Sequence, residues 1–162
     1  MNQKIADVRV IFGDESRTGA VDFGDAEILL LPVRANVSLF WYVTSPSQIN
    51  IWIRYLGIMN AKIAEEIEKI LNVAIGKLHK RENLGLVSKG NPYVGEKIIL
   101  LDEIILDLNC LDGLDKVVSE IKKSIPDIPG YSYIRDKVQN NVILASDECF
   151  KMLANKGLYR VT

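Results

Sequence analysis

The stretch "AEILLLPVRANVSLFWYVTSPSQ", residues 26–48, leaves the chain few ways to fold. Two apolar runs flank Pro32-Val33-Arg34, and the second halts at Thr44-Ser45-Pro46. The leucine run predicts a strand over residues 26–34, buried on both faces. Pro32 has no N–H to give a ladder, so it belongs at an edge, a bulge or the strand's end. "SLFWYVTS" reads as a second strand, residues 38–44, on which Trp41 and Tyr42 point to opposite faces. The period then changes. Thr44 or Ser45 can cap a helix whose first turn suits Pro46. Ile49, Trp52, Ile53 and Leu56 fall on one stripe of it, and Gly57 punctuates its end.

Asn60 is placed to cap a longer helix to about residue 80, striped by Ile63, Ile67, Ile70, Leu71, Ala74 and Leu78. Strands "LGLVS" and "EKIILLDEIILDLN" follow, joined by the turn-rich "KGNPYVG". A helix over residues 113–124, capped by Asp112, leads into "PDIPGYSYIRDKVQNN", which reads as loop. "VILAS" is a strand. Ser146 caps a last helix that Gly157 stops, and "LYRVT" starts an extended segment. Near the start, "DVRVIFG" alternates as a short strand, and a loop rich in glycine and acids follows it.

Composition narrows the function. The 162 residues fit one domain, and 48% hydrophobic with 25% charged residues is ordinary for a globular protein. A net charge of −1 supplies no overall basic field, which counts against an autonomous nucleic-acid binder but leaves room for a local groove. Cys110 and Cys149 show no ligand spacing and read as reduced thiols of a cytoplasmic protein. The first residues lack a signal-peptide core, and no run reaches membrane-spanning length. The acids Asp14, Glu15, Asp22, Asp25 and Glu27 crowd the first loop without the spacing of a calcium site, so solvated turn acids are expected there. His79, the lone histidine, stands at a helix end with no nucleophile motif beside it. No phosphate loop, dinucleotide fingerprint or zinc motif is present, and no cofactor, metal or catalytic residue is expected. Arg34, Arg54 and Trp41 are the candidate RNA contacts, two cations and one stackable ring. Trp52, on the apolar stripe, is expected in the core.

Strand, strand, helix and then further strands is the second half of a ferredoxin-like or RRM sheet. The residues Phe12-Gly13, Gly19-Ala20, Asp25-Ala26, Leu31-Pro32-Val33-Arg34 and Thr44-Ser45-Pro46 resemble, in order, the RAMP-superfamily subunit that forms the backbone of Cmr-type (type III-B) CRISPR effector complexes. Trp41 stands one place early relative to that family's tryptophan, with Tyr42 in its slot, and "ANVS" lacks an expected glycine. "GLVSKGNPYVGEKIILLDEIILDL" and "VILASDECFKMLANKGLYRVT" are similar to its later blocks. The resemblance runs through nearly all of the chain and corresponds to a middle portion of the family.

The resemblance implies a single α+β RAMP-like domain over residues 1–162, a partial or rearranged ferredoxin-like sheet with helices packed on one face. It implies antiviral defence, with guide RNA, target RNA and other CRISPR effector subunits as partners, a possible homo-oligomer, and neither membrane nor DNA. The family's leading segment, which carries its cleavage aspartate, has no counterpart before "FGDE", so a role without cleavage is expected. A regulatory or decoy protein that blocks assembly of such complexes is the alternative reading. A ferredoxin-like sheet without its central first strand leaves the aromatic strand an open edge. "DVRVIFG", "LYRVT" or a partner's strand is expected to fill it.

Overall fold

The computed structural model describes residues 8, 10–15, 17–21 and 26–159. A two-residue hairpin comes first, β1 (Gly13–Asp14) with β2 (Arg17–Thr18). Then follow β3 (Leu31–Arg34), β4 (Phe40–Thr44), α1 (Pro46–Met59), α2 (Ala61–Leu78), β5 (Leu84–Val87), β6 (Lys97–Leu100) and β7 (Ile104–Cys110). The described chain closes with α3 (Leu114–Ser124), α4 (Ser132–Asn140), β8 (Val142–Leu144) and α5 (Asp147–Tyr159). The architecture is α+β, as the sequence predicts, and the six long-range strands lie in the order β3-β4-β8-β5-β7-β6.

The place beside the aromatic strand is filled from within the chain. β8, the "VIL" of "VILAS", runs parallel to β4, with Tyr42 opposite Val142 and Thr44 opposite Leu144. Among the described residues neither of the two expected segments pairs with β4. Val8 and residues 10–12 of "DVRVIFG" are helical, and Leu158 and Tyr159 of "LYRVT" continue α5, with the rest of that segment outside the described residues. Alternation over so few residues does not separate a strand from a helical turn.

The sheet curls until its two edges touch. Ala35 bridges Leu100. The Leu101 N–H donates to the Arg34 carbonyl at 3.0 Å, and the Asn36 N–H to the Ile99 carbonyl at 3.1 Å. The Asn36 Oδ1 accepts from the Ile99 N–H at 2.9 Å. Because Arg34 turns its carbonyl to this outer side, Pro32, two residues earlier, also faces outward, where its missing N–H breaks no ladder bond.

Strand alternation sorts the core into two faces. Tyr42, Val142, Leu144, Leu84 and Leu86 pack with Ile49, Ile67, Leu71, Ala74, Leu78, Val118, Ile121 and Val138 from α1–α4. Trp41, Val43, Ile143, Val87, Leu106, Leu108, Ile98 and Leu100 line the inside of the curl, which Cys149, Phe150 and Leu153 of α5 cover. Trp52 packs half-buried against the first cluster, as its stripe predicts.

Several boundaries differ from expectation for local reasons. The strand over residues 26–34 is regular only at Leu31–Arg34. The run "EKIILLDEIILDLN" folds back as β6 and β7 around Leu101 and Asp102, both at positive φ (50° and 64°) without a glycine. Glycine or asparagine normally marks such a turn, so "LLDE" carries no turn signal. Gly57 lies inside α1 and Gly157 inside α5. Gly113, at φ 86°, holds the start of α3 where Asp112 was expected. "YSYIRDKVQNN" forms α4, because Ile134 and Val138 face the first core cluster one turn apart. Asn60 caps α2 as predicted, its Oδ1 accepting from the Ile63 N–H at 3.3 Å.

The cap of α1 comes from a hundred residues later. Ser45 occupies the cap position without a side-chain bond to the helix. Asp147, opening α5, accepts from the Ser47 N–H at 3.0 Å instead. Burial opposes the charge on Asp147, but the hydrogen bonds from Ser45 and Ser47 outweigh it and lower its pKa. The folded state therefore holds the carboxylate charged more firmly than the unfolded chain does. Its contribution is complete well above the ordinary value of 3.8 and is lost as the pH falls through the lowered folded pKa. Asp147→Ala should lower stability by about 1 kcal/mol, the usual worth of a helix cap, with a smaller penalty near pH 3 than at pH 7 in urea melts.

Candidate nucleic-acid interface

Of the three expected contact residues, the β3–β4 hairpin exposes Arg34 and buries Trp41, while Arg54 lies on α1. Arg34 ends β3 opposite Phe40, and its side chain is 64% exposed. Its guanidinium spans the seam of the curled sheet to Asp102 at 3.4 Å. Both partners are well exposed, so this pair contributes between zero and about 1 kcal/mol, and an anion of higher charge can take its place. Arg54 stands exposed on α1. The structure does not join it to Arg34 through any bridging contact among those described.

Trp41 does not face solvent. It is 0% exposed inside the curl. Its indole N–H donates to the Val37 carbonyl at 2.7 Å, and its ring meets Tyr93 edge-on with centroids 5.6 Å apart. A ring satisfied and enclosed in this way packs the core and is not available to stack on a base. The sequence places Trp41 and Tyr42 on opposite faces but does not say which face is closed.

The other face of the hairpin carries aromatics that the sequence reading passed over. Phe40 is 42% exposed and Tyr133, on α4, 56% exposed. Tyr42, on the same face of β4 as Phe40, is half-buried against the first core cluster, and burial, with a lesser push from the nearby Tyr133, raises its pKa. Lys137 sets its Nζ over the Tyr133 ring, 5.6 Å from the centroid. Asn141, just past α4, ties this helix to the hairpin: its Nδ2 donates to the Phe40 carbonyl at 2.9 Å and to Ser38 Oγ at 2.8 Å. The Tyr42 N–H donates to the Asn141 carbonyl at 2.8 Å. The signal in the sequence is the spacing Tyr133, Lys137, Asn141, which is legible only once that segment is known to be helical.

The remaining candidates lie elsewhere. Asp14, Glu15 and Glu27 are exposed, while Asp22 and Asp25 lie outside the described residues. Among the described residues no group of three or more metal-ligating side chains is assembled. His79 is exposed at the end of α2 and lines a cleft of about 540 Å3 with Glu82, Asn83, Glu148, Cys149 and Met152. Cys149 in that wall is 4% exposed. Burial pushes its thiol up to about 11 from 9.0, so it is a packing group and a poor nucleophile. Thiol reagents at pH 8 should therefore modify Cys110 first and Cys149 only on unfolding. Above pH 9 the unfolded chain loses the Cys149 proton first, so stability should fall between pH 9 and about 11.

No protein-family model and no curated protein matches the chain. Solved structures do. An oligomeric Cmr4 from Pyrococcus furiosus is 25% identical, with a TM-score of 0.64 over 94% of this chain and 53% of that one. A second crystal structure of Pyrococcus furiosus Cmr4 (Cas7) is 22% identical, with a TM-score of 0.61 over 94% and 54%. A chain of the type III-B Cmr-beta complex in its apo state, seen by cryo-EM, is 15% identical, with a TM-score of 0.57 over 94% and 50%. The chain spans about half the length of the structures it matches. It has a Cmr4-type, RAMP-like fold, and the resemblance carried by its sequence blocks is present in three dimensions. Among the described residues no helix is long and apolar enough to cross a membrane.

Proposed function

We propose that this chain acts as a RAMP-like subunit of an RNA-guided type III-B CRISPR effector, contacting guide or target RNA and neighbouring subunits, other copies of itself among them. The observation that carries this reading is the likeness to Cmr4 at 25% identity and a TM-score of 0.64 over 94% of the chain. The sequence blocks that resemble the family lie in the same order along the same fold. Arg34 and Arg54, both exposed, are the cations assigned to RNA phosphates. With a net charge of −1, binding must be local and salt-sensitive, driven by a few phosphate contacts.

The test has two arms. The chain is titrated with labelled single-stranded RNA at low and at physiological salt, and it is passed over immobilised type III-B subunits. Salt-sensitive RNA binding together with retention by the subunits is expected. A flat titration at low salt, together with no retention, overturns the reading.

A further inference from the structure

The geometry points to the outer face of β4 and α4 as a stacking platform for single-stranded RNA, with Phe40 and Tyr133 as the base-stacking rings and Arg34 and Lys137 as the phosphate contacts. This inference rests on the proposed RNA-binding role and gives that role a surface, most of whose residues are additional to Arg34 and Arg54.

Three observations place these side chains on one platform. Arg34 and Phe40 are direct cross-strand partners, so their Cβ atoms lie about 5 Å apart on the same face. Tyr133 and Lys137 lie one turn apart on α4, and the buried Asn141 follows directly at the end of that helix. Asn141 joins the two halves, because its side-chain amide is bonded to the Phe40 carbonyl. The platform therefore consists of two ring–cation pairs, Phe40 with Arg34 and Tyr133 with Lys137, tied together from beneath by the buried Asn141.

The chemistry of the platform fits a nucleic-acid strand better than a protein surface. Exposed rings offer π-faces that any base can use, which gives binding without sequence preference. Lys137 rests over an aromatic ring and is not held by a carboxylate, so it can swing off the Tyr133 face to meet a phosphate when a base stacks there. Arg34 is held only by an exposed pair with Asp102, which a phosphate can displace. Asn141 fixes the angle between strand and helix, so the platform is organised before any ligand arrives.

The test uses the full chain and a labelled oligouridine at low salt. The double variant Phe40→Leu/Tyr133→Leu keeps apolar bulk at both positions, and its folding is checked by its melting curve. It should weaken binding at least tenfold. Lys137→Gln should weaken it less and reduce the slope of log K against log salt by about one. Tyr55→Leu removes a comparably exposed aromatic from α1 and should change nothing. If the wild-type chain binds and the folded double variant binds equally well, the platform is wrong while the RNA-binding role stands. If the double variant keeps RNA but loses retention by type III-B subunits, the face is a protein contact and the inference fails. An absence of wild-type RNA binding overturns the platform, and together with no retention by type III-B subunits it overturns the proposed function as well.

Discussion

Trp41→Ala is expected to destabilise the chain by about 3–5 kcal/mol, the range for deleting a large buried aromatic. For a chain of this size that is a drop in melting temperature of roughly 10 °C or more. The ring is fully enclosed and meets the Tyr93 ring edge-on, so its removal leaves a cavity in a close-packed core. The loss is larger than the transfer term because the Val37 carbonyl also loses its indole partner. Trp41→Phe should recover most of the loss by refilling the volume, leaving about 1 kcal/mol for the missing N–H. The comparison also separates roles: the folded Trp41→Phe chain should bind RNA as the wild type does. Thermal melts and an RNA titration on the same samples check both statements.

Gly85→Val is expected to be nearly as damaging, at or above the 1–3 kcal/mol usual for overpacking a core. β5 is buried along its whole length, and Gly85, like Val87, faces the inside of the curl, while Leu84 and Leu86 face the helices. A Cβ there would sit 2.8 Å from Leu108 Cδ2 and 3.1 Å from Ile143 Cγ2. Both neighbours are buried, so neither can swing away into solvent. Gly85→Ala should show the same sign at lower cost, and urea melts of the two variants should rank them in that order. The effect tests the topology directly, because Leu108 on β7 and Ile143 on β8 reach the same point only if both strands flank β5.

What the sequence makes legible here is what periodicity and capping encode. The α2 stripe and its Asn60 cap are both found, and so is the aromatic strand leading through Ser45-Pro46 into a helix. Pro32 at an edge is one of the three placements that its missing N–H allows. What escapes is information held by distant partners. The cap of α1 is Asp147, and nothing near Ser45 advertises it. The turn at Leu101 and Asp102 has no glycine, and contacts from elsewhere hold it: the Arg34 carbonyl and guanidinium from β3, and Lys156 of α5 on Glu103. β8 is only three residues long, so its place beside β4 is set by pairing and not by pattern.

The candidate site divides along the same line. Arg34 is exposed as expected because a strand end with an outward arginine is a local feature. Trp41 is enclosed where an RNA contact was expected, because alternation gives two faces without saying which one the curl encloses. Tyr133 and Lys137 become visible as a site only after "YSYIRDKVQNN" is seen to be a helix tied to Phe40 through Asn141.

Trp41 lies inside the curl, while Phe40 and Tyr133 stand outside on the proposed RNA-binding platform. Photocrosslinking the full chain to a 4-thiouridine oligonucleotide at low salt, followed by peptide mapping, tests it most directly. Crosslinks at Phe40 and Tyr133, diminishing as salt rises, are predicted. Crosslinks confined to α1 around Arg54, or none at low salt, would contradict it.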